Sequence, residues 1–170
     1  MITQTHETDV LIIGGSAAGM YAALTAWDQG VKVTVISKAL LGRGGCSATF
    51  GYIGTKMGGV YNYKKLIQLD STQDKSFPDK VKYYGHYLVD QEIAEQAWSY
   101  PDTFCHRLEE LGFYIRRRDD GTIVSAGDFG YGFMGPKHGM TGKGIMDVFR
   151  SQIFKRQIPV FEESMAVTLI

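Results

Sequence analysis

The residues best suited to bind a ligand are the glycines of the segment Gly14 to Gly19, which reads G-G-S-A-A-G. Backbone N–H groups in such a turn can approach a pyrophosphate closely, because glycine has no side chain to keep the phosphate away. The dinucleotide fingerprint is G-x-G-x-x-G, so Ser16 stands where the second glycine is expected; serine is small, and its hydroxyl can donate to a phosphate oxygen. The segment therefore predicts a pyrophosphate site, with a purely structural tight turn as the alternative. Its residues are Gly14, Gly15, Ser16, Ala17, Ala18 and Gly19.

The elements that must position this turn flank it on both sides. Residues 10–13 form a short apolar, largely β-branched run, which predicts a strand buried on both faces. A helix is predicted next, ended by Gly30 in a left-handed conformation. Its apolar face recurs at helical spacing through Met20, Leu24 and Trp27. A second β-branched run, residues 31–36, completes a unit of about 30 residues, the size of a right-handed βαβ crossover that carries a dinucleotide on its helix N-terminus.

The end of the second predicted strand bears on which dinucleotide binds. NAD-type sites and many FAD-type sites place an Asp or Glu there to bind a ribose hydroxyl. This chain has Ser37 and Lys38 instead. A serine hydroxyl can still bond a ribose, but the missing carboxylate argues against an ordinary NAD site.

Two glycine-rich segments, residues 39–63 and 127–144, are predicted as long loops that approach a ligand. The first also contains apolar residues, which argue against disorder, and we expect it to run as a backbone ribbon along a flat ligand. For Cys46, a small buried residue packed on a ring is favoured over a redox role, because no partner cysteine lies nearby in sequence. In the second segment, His138 and Lys143 are candidates to neutralise a bound anion, with solvated loop residues as the alternative.

Helical periodicity and turn signals predict the remaining elements. Helices are expected at residues 78–87 and 90–100, from Pro101 to a stop at Gly112, and at residues 143–156 with Thr141 as N-cap. A hairpin is expected at residues 116–124, and its three arginines are interpreted as a solvated face because acidic residues adjoin them. Residues 160–161 and 165–170 are predicted as strands.

Composition limits the class of protein. The 170 residues suffice for one domain with a real core and are short for a two-domain enzyme. Lys plus Arg equals Asp plus Glu at 18 each. The chain therefore has no excess of positive charge that would indicate binding to nucleic acid or to an anionic membrane. The N-terminus lacks a signal core and no 18-residue apolar run exists, which predicts a cytoplasmic protein without direct membrane insertion, any membrane association coming through partners. The two cysteines form no C-x-x-C, so neither a metal site nor a disulfide framework is indicated.

Taken in order, these motifs resemble a known family. The chain is similar to the flavoprotein subunits of fumarate reductase and succinate dehydrogenase, together with L-aspartate oxidase, in D-V-L-I-I-G-G-S-A-A-G, V-I-S-K, G-R-G-G-C-S-A-T-F-G-Y, L-E-E-L-G-F-Y-I-R-R-R-D-D-G-T-I, T-G-K-G-I-M-D-V-F and F-E-E-S-M-A-V-T-L-I. That family also has Ser-Lys at the strand end. The resemblance implies an α/β, Rossmann-like FAD-binding domain with a parallel sheet, of which residues 1–170 would be the N-terminal part, without the capping and substrate domain.

The resemblance also implies where FAD would lie. The segment Gly14 to Gly19 would hold the pyrophosphate, and Ser37 and Lys38 would meet the adenosine ribose or a nearby phosphate. Met165 and Ala166 would contact the adenine through backbone groups. The isoalloxazine would lie along residues 43–51, where the implied contacts are Arg43, Gly44, Gly45, Cys46, Ser47, Ala48 and Gly51.

Two departures from the family qualify this assignment. In the succinate dehydrogenase branch, a His in the loop after Ser-Lys is bonded covalently to the flavin, and that position falls near Gly45 here. We therefore expect noncovalent FAD, as in the aspartate oxidase branch. The family's dicarboxylate-binding and proton-delivering groups lie downstream of Ile170, so the catalytic residues are not assigned, and these residues alone are expected not to turn over fumarate, succinate or aspartate.

As to function, the resemblance implies an FAD-dependent oxidoreductase that transfers hydride between flavin N5 and a small dicarboxylate. Fumarate reduction or succinate oxidation ranks first and L-aspartate oxidation second. A flavin-binding module or split subunit without catalysis of its own is the alternative from another class. The implied partners are the substrate, the remaining part of the flavoprotein and an iron–sulfur electron-transfer subunit.

Overall fold

The structure, a computed structural model, describes residues 4–49, 88, 90, 92–93, 96, 101–115, 119, 121 and 141–168. The chain forms two compact units. The first comprises Met1–Phe50 and Gly139–Ile170, and the second comprises Gly51–His138. The predicted dinucleotide turn and both strands around it belong to the first unit, which is described first.

The first unit contains a three-stranded parallel sheet. Its strands are β1 (Val10–Ile13), β2 (Val33–Ile36) and β3 (Val160–Phe161), in the spatial order β1-β2-β3. In the register, Val10 lies opposite Val33 and Val35 opposite Val160. Parallel pairing of consecutive strands requires a crossover, which the helix between β1 and β2 supplies. The predicted α/β, Rossmann-like fold is confirmed, with β2 beginning two residues later than expected.

Helix α1 (Ala17–Asp28) forms this crossover and ends as predicted. Gly30 has φ +82°, and its N–H donates to the Trp27 carbonyl at 2.8 Å. A residue without a Cβ reaches this left-handed conformation at little cost, so the chain can turn directly into β2.

One prediction for α1 is wrong. Met20 and Leu24 are buried, but Trp27 is 42 % exposed rather than part of the buried face. The guanidinium of Arg156 lies 5.1 Å from the centre of the indole ring, and Arg156 also forms an ion pair with Asp28 at 3.4 Å. A tryptophan can bury one face against a cation while its other face meets water, and hydrophobicity alone does not distinguish that case from full burial.

The core of the first unit lies between α1, the sheet and a long C-terminal helix, α2 (Thr141–Lys155), which packs against α1. The Tyr21 and Phe149 rings meet across this contact, with centroids 5.8 Å apart. Among the described residues of this unit, the buried apolar side chains are Met20, Ala23, Leu24, Val33, Val35, Leu41, Ile145, Met146, Phe149, Ile153 and Ile158. The helix begins two residues before its predicted start, so Thr141 is its first residue rather than its N-cap. Its glycines at positions 142 and 144 are buried. Packing of this first turn therefore stabilises the helix, although glycine has a low intrinsic helix propensity.

The expectation that β1 is buried on both faces is also wrong for this chain. Leu11 and Ile13 are 45 % and 52 % exposed, whereas Val10 and Ile12 are half-buried. Ile12 faces the first turn of α1, because its methyl group lies 3.3 Å from where a Cβ of Gly19 would stand. The strand lies at a sheet edge, and within the described part of the chain its other face is left to solvent.

The chain after β3 differs from the predicted strand at residues 165–170. Residues 165–168 are irregular, with Met165 and Val167 66 % and 80 % exposed. A strand needs a neighbour to accept its backbone hydrogen bonds, and none of the described residues lies alongside this segment as one.

In the second unit, the helix predicted to begin at Pro101 is confirmed and spans Pro101–Glu110. Gly112, with φ +96°, ends it: the Gly112 N–H donates to Glu109 O at 2.9 Å and the Phe113 N–H donates to Leu108 O at 2.8 Å. This is the Schellman arrangement, and Leu108 and Phe113, which stand at the positions of its usual apolar contact, are both buried. Residues 92, 93 and 96 are helical, in agreement with the predicted helix at 90–100.

Other predicted elements lie outside the described residues. These are the helix at 78–87, the three arginines of the hairpin, His138, and most of both glycine-rich loops. Of the hairpin turn, Gly121 is described and has φ +80°, which suits a turn. None of the helices described is both long enough and apolar enough to cross a bilayer.

Candidate functional site

The site forms where the three parallel strands end. The chain leaves β1 at Gly14, β2 at Ser37 and β3 at Glu162, all at the carboxyl edge of the sheet. Three backbone hydrogen bonds join these ends: Gly14 N–H to Ile36 O at 2.8 Å, Ser37 N–H to Phe161 O at 2.8 Å, and Ser164 N–H to Ser37 O at 3.0 Å. In open α/β sheets, ligands bind at this edge. The sequence-predicted pyrophosphate and ribose residues are thus brought together.

The turn after β1 requires glycine at two positions. Gly14 has φ +118°, a conformation that side-chain-bearing residues rarely adopt. A Cβ on Gly19 would stand 1.9 Å from the Gly14 carbonyl oxygen, so helix α1 and the turn can approach this closely only without a side chain there. The first and last glycines of the motif therefore have the roles that the fingerprint assigns to them.

The N-terminus of α1 points into the same region. Ser16 is the N-cap in an extended conformation, and its hydroxyl makes no capping hydrogen bond to the helix. The first intrahelical bond is donated by Met20 to the Ser16 carbonyl at 2.9 Å, so the N–H groups of residues 17–19 have no partner within the helix. The first turn contains no acidic residue. The helix dipole and these N–H groups suit an anion such as a pyrophosphate.

Gly15 joins the turn to the end of β2, a role that the sequence motif did not reveal. A Cβ on Gly15 would stand 2.6 Å from Ser37 Oγ and 2.9 Å from Leu41 Cδ1. Ser37 is 4 % exposed, and none of the described residues hydrogen-bonds to its hydroxyl. Lys38, the next residue, is exposed. A buried hydroxyl thus lies beside the turn, and its bond to a ligand ribose or phosphate stays a prediction.

The loop after β2 turns back towards the helices. Arg43 Nη1 lies 3.1 Å from Asp147 Oδ1 on α2, and Lys143 pairs with the other oxygen of the same carboxylate. Two cations thus share one carboxylate, and the cluster keeps a positive charge beside the loop. Lys143 lies in a helix rather than in a loop and belongs to this exposed cluster; its role in neutralising a bound anion stays a prediction.

Residues 46–48 lie in the segment predicted to run as a backbone ribbon along a flat ligand. They form a short 3₁₀ helix that packs against α2, preceded by Gly45 with φ +77°. The Thr49 N–H and hydroxyl both donate to the Cys46 carbonyl, at 3.0 and 2.9 Å, which closes this turn. Cys46 is exposed, and Gly44, Ser47 and Ala48 are half-buried; the packing of Cys46 on a ring stays a prediction. The glycine content of the loop, on which the prediction of a ribbon was based, does not reveal local hydrogen bonds of this kind.

Met165 and Ala166 follow directly on Ser164, whose N–H is bonded to the Ser37 carbonyl. Both residues are exposed, and through Ser164 they follow a residue that is hydrogen-bonded to the end of β2, where the adenosine end of the ligand was predicted. Gly51, the last of the predicted flavin contacts, lies outside the described residues.

These features fit the dinucleotide that the sequence predicted. A side chain at Gly15 or Gly19 would collide with its neighbours, so the backbone of the turn is exposed to a ligand without obstruction from side chains there. The first N–H groups of α1 have no partner within the helix, and the buried Ser37 hydroxyl lies beside the turn. A separate open cavity of about 530 Å³ lies at the opposite, amino edge of the sheet, between Trp27, Lys32 and Pro159. The carboxyl edge is nevertheless the site favoured by strand direction and by the glycine turn.

Comparison with known proteins agrees with this geometry. The family model described as "FAD binding domain" matches residues 9–170. An uncharacterized FAD-dependent oxidoreductase of Methanocaldococcus jannaschii is 32 % identical over 169 residues, which are 96 % of this chain and 29 % of that protein. A 3-oxosteroid 1-dehydrogenase of Mycolicibacterium smegmatis is 36 % identical over 111 residues, 65 % of this chain and 17 % of that protein.

A third relative belongs to the fumarate reductase (CoM/CoB) of Methanothermobacter marburgensis, and it is 24 % identical over 172 residues, 100 % of this chain and 30 % of that protein. Among solved structures, the open conformation of a flavocytochrome c3 fumarate reductase matches 96 % of this chain and 28 % of its own, at a TM-score of 0.68 and 22 % identity, a likeness of fold. The chain spans less than a third of the length of each of these proteins.

Proposed function

Because this chain belongs to the family of FAD-binding domains, we propose that it is the FAD-binding part of an oxidoreductase of the fumarate reductase and succinate dehydrogenase type. The observation that carries the proposal is the carboxyl edge of the sheet, where a glycine turn, a free helix N-terminus and the buried Ser37 hydroxyl converge. When bound, FAD supplies hydride chemistry at its isoalloxazine ring, and the protein's share is to bind, orient and shield the cofactor.

The residues that would hold FAD divide by position. The turn from Gly14 to Gly19 would bind the pyrophosphate, Ser37 and Lys38 the adenosine ribose, and Met165 with Ala166 the adenine through backbone groups. Arg43 to Gly51 would line the isoalloxazine. The shared positive charge of Arg43 and Lys143 over Asp147 supports an anionic group close to this loop.

The substrate class we propose is a small dicarboxylate, in the order fumarate or succinate first and L-aspartate second. The relative named fumarate reductase supports this order. The relative named 3-oxosteroid 1-dehydrogenase supports a second candidate, another flavoprotein reductase with a different substrate on the same FAD-binding fold. A flavin-binding module without catalysis of its own is the non-enzyme alternative.

We also propose that further polypeptide, the remaining part of the flavoprotein, covers the exposed face of β1. Parallel sheets are normally covered on both faces, and Leu11 and Ile13 are about half exposed here. An iron–sulfur electron-transfer subunit is the proposed partner of the assembled protein.

The function is tested on the assembled flavoprotein, which is supplied with reduced viologen and offered fumarate, with free FAD as the background. Fumarate-dependent reoxidation of the dye is expected from the assembled enzyme. Reoxidation that occurs with another acceptor and never with fumarate would contradict the dicarboxylate assignment, and flavin binding without any turnover would favour the module.

The attachment of the cofactor is a separate prediction. Residues 42–48 contain no histidine, so FAD is expected to be held noncovalently. Precipitating the flavin-loaded protein with acid should leave essentially all of the yellow colour in the supernatant. Flavin fluorescence that migrates with the denatured polypeptide on a gel would show a covalent bond.

A further inference from the structure

A half-buried ion pair contacts the start of the loop predicted to lie along the flavin, residues 41–49, which we call the flavin loop. Arg150, on α2, donates from Nη1 to Glu162 Oε1 at 2.9 Å, and Glu162 is the first residue after β3. Each side chain is 27 % exposed. The Arg150 guanidinium also lies 4.9 Å from the centre of the Phe154 ring, which restricts its orientation. The pair thus links α2 to the carboxyl edge of the sheet.

Both partners also bind the backbone of one loop residue. The Leu41 N–H donates to Glu162 Oε1 at 2.8 Å, and Arg150 Nη1 donates to the Leu41 carbonyl at 2.7 Å. Each charged side chain therefore binds the peptide group of opposite partial charge: the Glu162 carboxylate accepts from the Leu41 N–H, and the Arg150 guanidinium donates to the Leu41 C=O. Charge-assisted hydrogen bonds are shorter and stronger than neutral ones. The Leu41 side chain is fully buried, so this residue is held from both its backbone and its side chain.

We call the hydrogen bonds of Arg150 and Glu162 to the Leu41 peptide groups the clasp. The residue after Leu41 connects the clasp to the dinucleotide turn. The Gly42 N–H donates to the Gly15 carbonyl at 2.9 Å. Gly42 has φ +69°, and a Cβ there would stand 3.2 Å from the terminal methyl of Met20. The loop therefore passes between α1 and α2 at a point where a side chain would pack tightly against Met20 and Met146, and Arg43 and the 3₁₀ helix follow at once.

We propose that Arg150 and Glu162 are a positioning pair for the cofactor site: by clasping the Leu41 peptide groups, they hold the flavin loop, residues 41–49, against the Gly14–Gly19 turn. The pair acts through Leu41 and does not itself touch the cofactor. The proposal rests on the proposed placement of FAD along this loop. Removing either partner frees the loop and leaves a partly buried charge without its counter-charge.

The test compares variants with a matched control. Arg150→Met keeps the side-chain bulk and removes the donors; Glu162→Gln keeps an oxygen that can accept from Leu41. The control is Arg156→Met, since Arg156 forms a similarly buried ion pair with Asp28, on the ends of α2 and α1 away from the site. We expect the Kd for FAD to rise about tenfold for Arg150→Met, less for Glu162→Gln, and less than twofold for Arg156→Met.

A charge reversal separates the clasp from an ordinary ion pair. The double variant Arg150→Glu with Glu162→Arg restores opposite charges, but it places a donor opposite the Leu41 N–H and an acceptor opposite its C=O. We therefore expect the reversal to leave FAD affinity as weak as in Arg150→Met. Recovery of wild-type affinity, or an Arg150→Met variant that binds FAD within twofold of Arg156→Met, would overturn the proposal.

Hydrogen exchange of the flavin-free protein keeps this inference separate from the function. The clasp predicts faster exchange of the Gly42 amide in Arg150→Met and unchanged exchange there in Arg156→Met. If that pattern appears while the wild-type protein fails to bind FAD, the assigned function is wrong and the clasp stands. If wild-type protein binds FAD and the Gly42 amide is equally protected in both variants, the clasp is wrong and the function stands.

Discussion

Replacing Gly19 with valine is expected to abolish measurable FAD binding. Any Cβ at this position would stand 1.9 Å from the Gly14 carbonyl oxygen, far inside van der Waals contact, and the obstructing atom is backbone rather than a flexible side chain. Relief would require α1 to move away from the turn, which displaces the N–H groups that face the pyrophosphate. Overpacking costs about 1–3 kcal/mol and occasionally more, and because the obstructing atom is backbone we expect about 3 kcal/mol or more. This corresponds to a loss of affinity of at least about 100-fold, so that titration of flavin fluorescence with FAD at about micromolar concentration should show no saturation.

A matched control removes the general effect of valine in a helix. Ala22 lies on the same helix, is exposed, and can take the same β-branched side chain without obstruction. Ala22→Val is expected to bind FAD within about twofold of wild type, because the helix-propensity penalty alone is less than ~1 kcal/mol. Gly19→Val protein that is folded by circular dichroism and still binds FAD with wild-type affinity would show that the cofactor does not lie on this helix.

The second large effect is expected at Gly15. The Cβ of alanine would stand 2.6 Å from Ser37 Oγ and 3.0 Å from Ser37 Cβ, so Gly15→Ala should push the turn away from the end of β2. The hydrogen bond from the Gly42 N–H to the Gly15 carbonyl would be weakened at the same time. We expect a loss of about 1–3 kcal/mol in unfolding free energy and about tenfold in FAD affinity.

Compensation within this contact provides the control. Ser37→Gly removes two of the three close atoms and leaves Leu41 Cδ1 at 2.9 Å, so the double variant Gly15→Ala with Ser37→Gly should regain part of the lost unfolding free energy, measured on the flavin-free protein. If Gly15→Ala has the same unfolding free energy as wild type, this packing does not position the turn. The same conclusion follows if the double variant loses the sum of the unfolding free energies lost by the two single variants.

The sequence predicted the local geometry of the site well, because local rules determine it. A glycine after a β-branched run, a glycine at the helix stop and the order of small residues all act within a few positions of each other. Gly14, Gly19 and Gly30 consequently have the conformations or close contacts that their spacing implied. Strand direction then brings Ser37 to the same edge, since parallel strands joined by a crossover end together.

The contacts that were missed are long-range or depend on partners. Arg150 and Glu162 meet Leu41 across 109 and 121 positions in sequence, and no spacing rule connects them. The exposure of Trp27, Leu11 and Ile13 was mispredicted for a related reason. Hydrophobicity indicates that a side chain gains from burial, but it does not say whether a cation, another helix or a further part of the protein provides the cover.

The central claim is that FAD binds on the Gly14–Gly19 turn, and equilibrium dialysis of FAD against wild-type and Gly14→Val protein tests it most directly. Gly14 has φ +118°, which a β-branched residue avoids, so the variant should lose the turn conformation that admits the pyrophosphate. We predict saturable binding of one FAD per wild-type chain, with a Kd of about micromolar or tighter, and no saturable binding by the variant. Wild-type protein that retains no FAD, or a Gly14→Val variant that binds it equally well, would contradict the claim.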